Sequence, residues 1–187
     1  MRDMSTVWGL LSPKRISLVY LLIGIVVVFG VVNPELFLSE ITIQSVLRSQ
    51  AVVGILAIGL LLPFIAGEFD ISVGANLAMA VIIVAVLSKE QPGLGPWIMC
   101  LIAMVACTAV GLLNGILVGV VGLNSFIATL ATGQVLLAIA LKLSDNQQVV
   151  AELPEDFMDL GQGQTLGLPN AVYVTVALAF VVWYVLQ

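Results

Sequence analysis

Six apolar runs, each about as long as a bilayer-spanning helix, dominate this chain of 187 residues. A hydrocarbon core about 30 Å thick is crossed by about 20 helical residues, because each helical residue advances about 1.5 Å. The chain is 61% hydrophobic and 9% charged, with a mean hydropathy of +1.19, which no soluble domain of this length matches. The sequence therefore predicts an all-α fold, a single polytopic transmembrane bundle over residues 1–187. We expect its segments at Ile16 to Val32, Val46 to Ala66, Ser72 to Ser88, Trp97 to Val121, Phe126 to Leu143 and Ala171 to Leu186.

Basic residues before the first run predict the orientation. Three of the six Lys and Arg residues, Arg2, Lys14 and Arg15, precede it. Such residues favour the cytoplasmic side, so we expect a cytoplasmic N-terminus. The run is longer than the apolar region of a signal peptide and ends without a small-x-small cleavage pattern. An uncleaved anchor is therefore expected.

One long polar connection, residues 144–170, is placed outside by this topology. Two interpretations of its negative charge stay open: a solvated loop, or a docking surface for a soluble partner. The acidic residues are Asp145, Glu152, Glu155, Asp156 and Asp159.

The sequence lacks the residues that several kinds of catalytic and binding site require. The sequence has no histidine, which removes the common zinc clusters and the Ser-His and Cys-His dyads. Cys100 and Cys107 lie seven positions apart, about 10 Å along one helix, which is too far for a disulfide. No basic patch is present to bind nucleic acid. We expect no enzyme activity, no cofactor, no metal and no nucleic-acid partner.

A charged interruption, Gly67 to Gly74, separates the second and third apolar runs. Pro63 precedes it and predicts a kink or an early helix end, since proline lacks the amide hydrogen that the helix needs. Asp70 is interpreted either as the N-cap of the third segment or as a carboxylate held at depth beside a translocation route. Glu68 has no comparable capping role. Within the bilayer it should face the bundle interior or a watery cavity, and in a cytoplasmic loop it is a solvated charge.

The fourth segment carries a repeat of glycines, each four residues from the next. Gly111, Gly115 and Gly119 share one helix face, which favours close helix packing over contact with a ligand. Asn114 lies beside this seam and can hydrogen-bond across it. Asn124 or Ser125 can cap the fifth segment, where Thr129 follows within the first turns.

Two of these stretches resemble landmarks of one family. Gly67-Glu68-Phe69-Asp70-Ile71-Ser72-Val73-Gly74 is similar to the Gly-Gly-x-Asp-Leu-Ser-Val-Gly signature of permease subunits of ribose-type sugar ABC importers. The run from Gly111 to Val118, followed by Phe126 to Leu130, resembles the second landmark of that family. The resemblance extends from about Phe37 to the C-terminus and adds Ser72 and Gly74 to the candidate residues.

The resemblance implies a transmembrane subunit with a fold like that of the type II ABC importers, in the bacterial inner membrane. It implies a second permease subunit, identical or related, together with cytoplasmic ATP-binding subunits and a periplasmic solute-binding protein. The solute would be a monosaccharide or a related small polar molecule. The translocation or motif candidates are Glu68, Asp70, Ser72, Gly74, Asn114 and Thr129.

The chain also departs from the family pattern. Glu68 replaces the second glycine of the signature, and Ala131 stands where the family commonly has glycine. Family members continue past the sixth segment into a cytoplasmic loop that contacts the ATPase and into further spans. The chain is therefore expected to be the N-terminal part of a permease, which puts ATPase coupling in question. Two alternatives remain: a permease of branched-chain amino acid systems, or a truncated, non-transporting membrane interaction protein.

Overall fold

The computed structural model describes residues 13–187, with side chains described from residue 17 onward. Arg2 and the side chains of Lys14 and Arg15, on which the predicted orientation rests, lie outside these residues. The chain divides into two compact units, Met1–Leu47 and Arg48–Gln187. The prediction of a single domain over the whole chain stays a prediction.

Helices account for most of residues 13–187, as the apolar runs predict. Four of them are long and apolar enough to cross a membrane, and two further apolar helices, Ser17–Val32 and Asn170–Val185, are shorter. The expectation of a helical membrane bundle is confirmed. In chain order the helices are α1 (Pro13–Val32), α2 (Pro34–Phe37), α3 (Glu40–Ile65), α4 (Val73–Glu90), α5 (Pro96–Gly119), α6 (Ser125–Leu143), α7 (Glu155–Gln162) and α8 (Asn170–Val185).

The first unit contains a sharp break between α1 and the start of α3. α1 ends before Asn33, and Pro34 occupies the first turn of α2, where a missing amide hydrogen costs nothing. The rings of Phe29 and Phe37 stack at 5.7 Å between centroids. The Ser39 hydroxyl accepts a hydrogen bond from the Thr42 amide at 3.2 Å, so Ser39 caps the start of α3.

In the second unit α4, α5 and α6 pack on one another. Most of their buried apolar side chains are alanines, which let helix backbones approach closely where lipid provides no hydrophobic drive for association. Gly133 of α6 continues this pattern, since a Cβ built there would lie 3.5 Å from the Cα of Ser72. The buried apolar residues of these helices are Ala75, Ala85, Met99, Ala103, Ala128, Leu136 and Ala140.

A second close contact joins α3 to α8. The Thr175 hydroxyl donates to the carbonyl oxygens of Ala171, at 2.8 Å, and Ala51, at 3.1 Å. Its methyl group lies 2.9 Å from a Cβ built on Gly54. Only glycine therefore fits at position 54 without a shift of Thr175.

The segment between α6 and α8 is folded, although it is polar. α7 is followed by a two-stranded antiparallel hairpin, β1 (Gln164–Thr165) and β2 (Leu168–Pro169), with Gln164 paired to Pro169. Leu166 and Gly167 have φ values of 52° and 79°, as a tight two-residue hairpin turn requires. The polar connection therefore contains a short helix and a hairpin.

Three contacts hold this segment against the helix ends. Arg48 donates from Nη2 to the carbonyl oxygen of Gln162 at 2.8 Å, a cation at the C-terminal end of α7. The Glu152 amide donates to the hydroxyl of Ser88, which is 1% exposed, at 3.0 Å. Trp97 and Phe157 meet edge to face at 5.2 Å. The segment is thereby anchored to α3, α4 and α5.

Candidate functional site

Pro63 lies two residues before the end of α3, just ahead of the loop that joins α3 to α4. The amide of Gly67 donates to the Phe64 carbonyl, and that of Glu68 donates to the Pro63 carbonyl, each at 3.0 Å. This pair of bonds is a Schellman motif, with Gly67 at φ +81° in the left-handed position. α3 continues two residues past Pro63 and ends at Ile65, within one residue of the end expected for the second apolar run.

Asp70 shapes the start of α4 from outside the helix. The amide of Ser72 donates to Asp70 Oδ1 at 2.8 Å, and the hydroxyl of Ser72 donates to the same oxygen at 2.5 Å. The helix begins at Val73 with Ser72 at the N-cap position, so Asp70 lies two residues before that position, and its carboxylate still bonds a backbone amide at the helix start. The carboxylate closes a local turn two residues long and so shifts the helix start beyond it.

The first two turns of α6 hold the loop backbone. The amide of Phe69 donates to Ser125 Oγ at 3.2 Å, and the amide of Ile71 donates to Thr129 Oγ1 at 3.1 Å. Thr129 in turn donates to the Ser125 carbonyl at 2.8 Å. Asn124, the N-cap of α6, accepts from the Ile127 amide, so the capping prediction is confirmed at Asn124.

α5 reaches the same loop through Asn114. Its Nδ2 donates to Ser72 Oγ at 3.0 Å. Asn114 is 5% exposed and Ser72 1% exposed, so this contact is buried. A continuous chain of hydrogen bonds thus runs from Asn114 through Ser72 to Asp70. Because irregular backbone at membrane depth is tolerated only where protein covers it, these bonds to α5 and α6 stabilise the loop.

A cavity of about 480 Å³ lies between this loop, the end of α3 and the helices α5 and α6. It is an open groove that brings together most of the residues singled out from the sequence. Its lining residues are Pro63, Ala66, Glu68, Phe69, Asp70, Gly111, Asn114, Gly115, Val118, Gly119, Ser125 and Thr129.

The glycine seam of α5 faces this cavity. No heavy atom outside the immediate chain lies within 4 Å of a Cβ built at Gly111, Gly115 or Gly119. The helix packing expected at these positions is therefore not made within the described part of the chain, because α5 turns this face to the groove. Packing by the seam stays a prediction that concerns another chain or segment.

Charge is unequally distributed between the two ends of the helices. Glu68 is exposed and Asp70 half-buried at the loop end. The described basic side chains lie at the opposite end: Lys89 and Lys142 at the ends of α4 and α6, and Arg48 beside α7. The cavity wall is largely apolar, and the carboxylates of Glu68 and Asp70 are its charged groups.

Not every candidate reaches the cavity. Ser72 does not line the cavity but bonds to Asp70 and Asn114, which do. Gly74 lies in the first turn of α4, with no neighbouring heavy atom within 4 Å of a Cβ built there. Sequence reasoning missed Ser125 as a site residue, although it precedes Thr129 by four residues and so shares its helix face. Across the described residues there is no group of three or more His, Cys, Asp or Glu side chains that could hold a metal.

Residues 42–187 match the family described as "Branched-chain amino acid transport system / permease component". The chain is 30% identical over 166 residues to the D-allose transport system permease protein of Escherichia coli, covering 88% of this chain and 50% of the relative. It is 28% identical over 170 residues to the ribose import permease protein of Haemophilus influenzae, covering 89% and 51%. For the ribose import permease protein of Bacillus subtilis, identity is 33% over 163 residues, covering 87% and 49%.

No solved structure matches the chain significantly. The chain spans about half the length of the curated relatives that it matches. The family match, by contrast, covers most of the chain and includes the loop, the glycine seam and the start of α6. This chain therefore belongs to the family described as "Branched-chain amino acid transport system / permease component".

Proposed function

We propose that this chain is part of the membrane subunit of an ATP-driven importer and that it moves a monosaccharide or a related small polar solute. The cavity beside the α3–α4 loop forms part of the route. Glu68, Asp70, Asn114 and Thr129 line that route, and Ser72 holds it in shape.

The meeting of the two sequence landmarks in space supports this proposal most directly. Asn114 and Thr129 lie 42 and 58 residues beyond their partners Ser72 and Ile71, yet both bond to the loop. The cavity wall is largely apolar with a few convergent polar groups, and interrupted helices border the solute sites of transporters in the same way. The site thus has the chemistry that solute passage requires.

The names of the relatives support a sugar as the solute. The three relatives reported above are permeases for D-allose or ribose by name. The family description names branched-chain amino acids instead. We favour a sugar because the relatives are named for sugars and because the few polar groups of the cavity, among them Asp70 and Asn114, can bond to hydroxyl groups.

The partners follow from the same proposal. A second permease subunit, cytoplasmic ATP-binding subunits and a periplasmic solute-binding protein complete the importer in the bacterial inner membrane. The N-terminus is cytoplasmic, since Arg2, Lys14 and Arg15 precede the first apolar run. Labelling of single cysteines placed in the α3–α4 loop and in the hairpin, with an impermeant reagent on intact cells, tests this orientation. Only the hairpin cysteine should react.

Uptake of radiolabelled D-ribose, D-allose and leucine tests the function. Cells that express this chain with its ATP-binding and solute-binding partners are compared with cells that lack only this chain. We expect accumulation of one of the sugars to require the chain. Sugar uptake that is unchanged without it would contradict the proposal, and chain-dependent leucine uptake would favour the amino acid alternative. Copurification with the partners, without uptake or stimulated ATP hydrolysis, would indicate the non-transporting alternative.

A further inference from the structure

Asn114 is a cavity residue whose polar side chain is only half satisfied. Its Nδ2 donates to Ser72, whereas its Oδ1 is buried and has no hydrogen-bond partner among the described residues. A buried acceptor without a partner costs about 1–3 kcal/mol. Asn114 Oδ1 is therefore a buried acceptor that no donor of the described residues satisfies.

The neighbouring bonds fix which way this amide points. The hydroxyl hydrogen of Ser72 is donated to Asp70 Oδ1, so Ser72 has only lone pairs left for Asn114. An amide facing a lone pair must present its NH₂ group, which directs its oxygen away from Ser72. Asp70 and Ser72 together thus orient the Asn114 oxygen.

The wall around Asn114 leaves room for a small molecule. Gly111 and Gly115 lie on the same wall, and space is open where a Cβ would project from either. The Asn114 oxygen is screened from water in this conformation. Pro63 near the end of α3 and Ala66 just beyond it lie on the opposite side of the same open groove.

We infer that Asn114 Oδ1 accepts a hydrogen bond from a hydroxyl group of a neutral, polyhydroxylated solute in this cavity, with Ser72 and Asp70 as positioning residues. This inference rests on the proposed function. A neutral amide oxygen favours a hydroxyl, because a cation would bind the carboxylates of Glu68 or Asp70 and would not depend on Asn114. Asn114 thereby becomes a specificity-determining residue of the route.

Protection of an engineered cysteine gives a test that needs no transport. Gly111→Cys is placed on the cavity wall in a chain whose Cys100 and Cys107 are replaced by serine. Its rate of reaction with N-ethylmaleimide is measured in membranes with increasing D-ribose or D-allose. Val105→Cys, on the same helix but 63% exposed and outside the cavity lining, is the matched control.

We expect one sugar to slow the labelling of Gly111→Cys and not that of Val105→Cys. Adding Asn114→Leu should raise the concentration needed for half protection by about threefold to tenfold, as loss of one neutral hydrogen bond predicts. Thermal unfolding of each variant confirms that it is folded, and Ser72→Ala provides a second variant that should weaken protection with Asn114 in place.

The outcomes separate this inference from the function. Protection that is equal in the Asn114→Leu chain and the parent overturns the role of Asn114 and leaves the proposed function standing. Protection that choline chloride provides equally well, and that Asn114→Leu does not change, shows a cation site and overturns the inference. If neither sugar protects the parent chain, the inference falls together with the proposed sugar route.

Discussion

Thr129 accepts a hydrogen bond from the Ile71 amide at 3.1 Å across 58 residues of sequence. The hydroxyl hydrogen of Thr129 remains on α6, where the Ser125 carbonyl accepts it at 2.8 Å. One side chain therefore supplies the partner for a loop amide that lies outside regular structure. This bond ties the end of the loop to α6.

Thr129→Val removes this partner without changing the size of the side chain. The Ile71 amide is left unsatisfied, so the free energy of unfolding should fall by about 1–3 kcal/mol. Unfolding in mixed micelles with increasing dodecyl sulfate measures it. Thr132→Val is the control, because its hydroxyl bonds only to the Thr129 carbonyl of its own helix. Equal losses in the two variants would contradict the role given to Thr129.

Gly67→Ala and Gly74→Ala should change stability in opposite directions. Gly67 has a φ of +81°, which costs a residue with a Cβ about 1 kcal/mol or more. Gly74 is helical with open space around it, so alanine there should stabilise by about 0.5–1 kcal/mol. The same unfolding assay compares them. A stabilised Gly67→Ala variant would show that the loop does not need this backbone conformation.

Gly54→Ala should weaken the contact between α3 and α8. The new methyl group would lie 2.9 Å from the Thr175 methyl, which cannot rotate away without loss of hydrogen bonds to Ala51 and Ala171. We expect a loss of about 1–3 kcal/mol, as for other overpacked sites. Gly59→Ala, on the same helix with nothing within 4 Å, is the control and should be neutral or stabilising.

Glu68→Gln should reduce uptake more than assembly. A carboxylate binds a donor more strongly than an amide does, by about 1.5 kcal/mol, so uptake should fall by about tenfold. Glu155→Gln, in the segment at the opposite end, should have no such effect. The measurements are initial uptake rate and the amount of chain in the membrane. A loss that only reflects a smaller amount of protein would refute a role in the route.

Much of the fold was predictable because a membrane limits the choices. Apolar runs of helical length gave most helix ends within about three residues, and Asn124 marked the start of α6, but α3 begins at Glu40, six residues before the expected Val46. The role of Asp70 was not predictable from the sequence. A carboxylate at this point in the chain can act as the helix N-cap or can close a turn just before the helix. The open side of the glycine seam also escaped sequence reasoning, because helical spacing gives a face but not the element opposite it.

The alanine-rich contact among α4, α5 and α6 has a consequence for assembly. Alanine and glycine have no rotamers to lose, so bringing these helices together restricts almost no side-chain motion. The side-chain part of the entropic cost of association is therefore small at these positions, even though each contact is small. Contacts made by the longer side chains of α3 and α8 lose more rotamer freedom when they form.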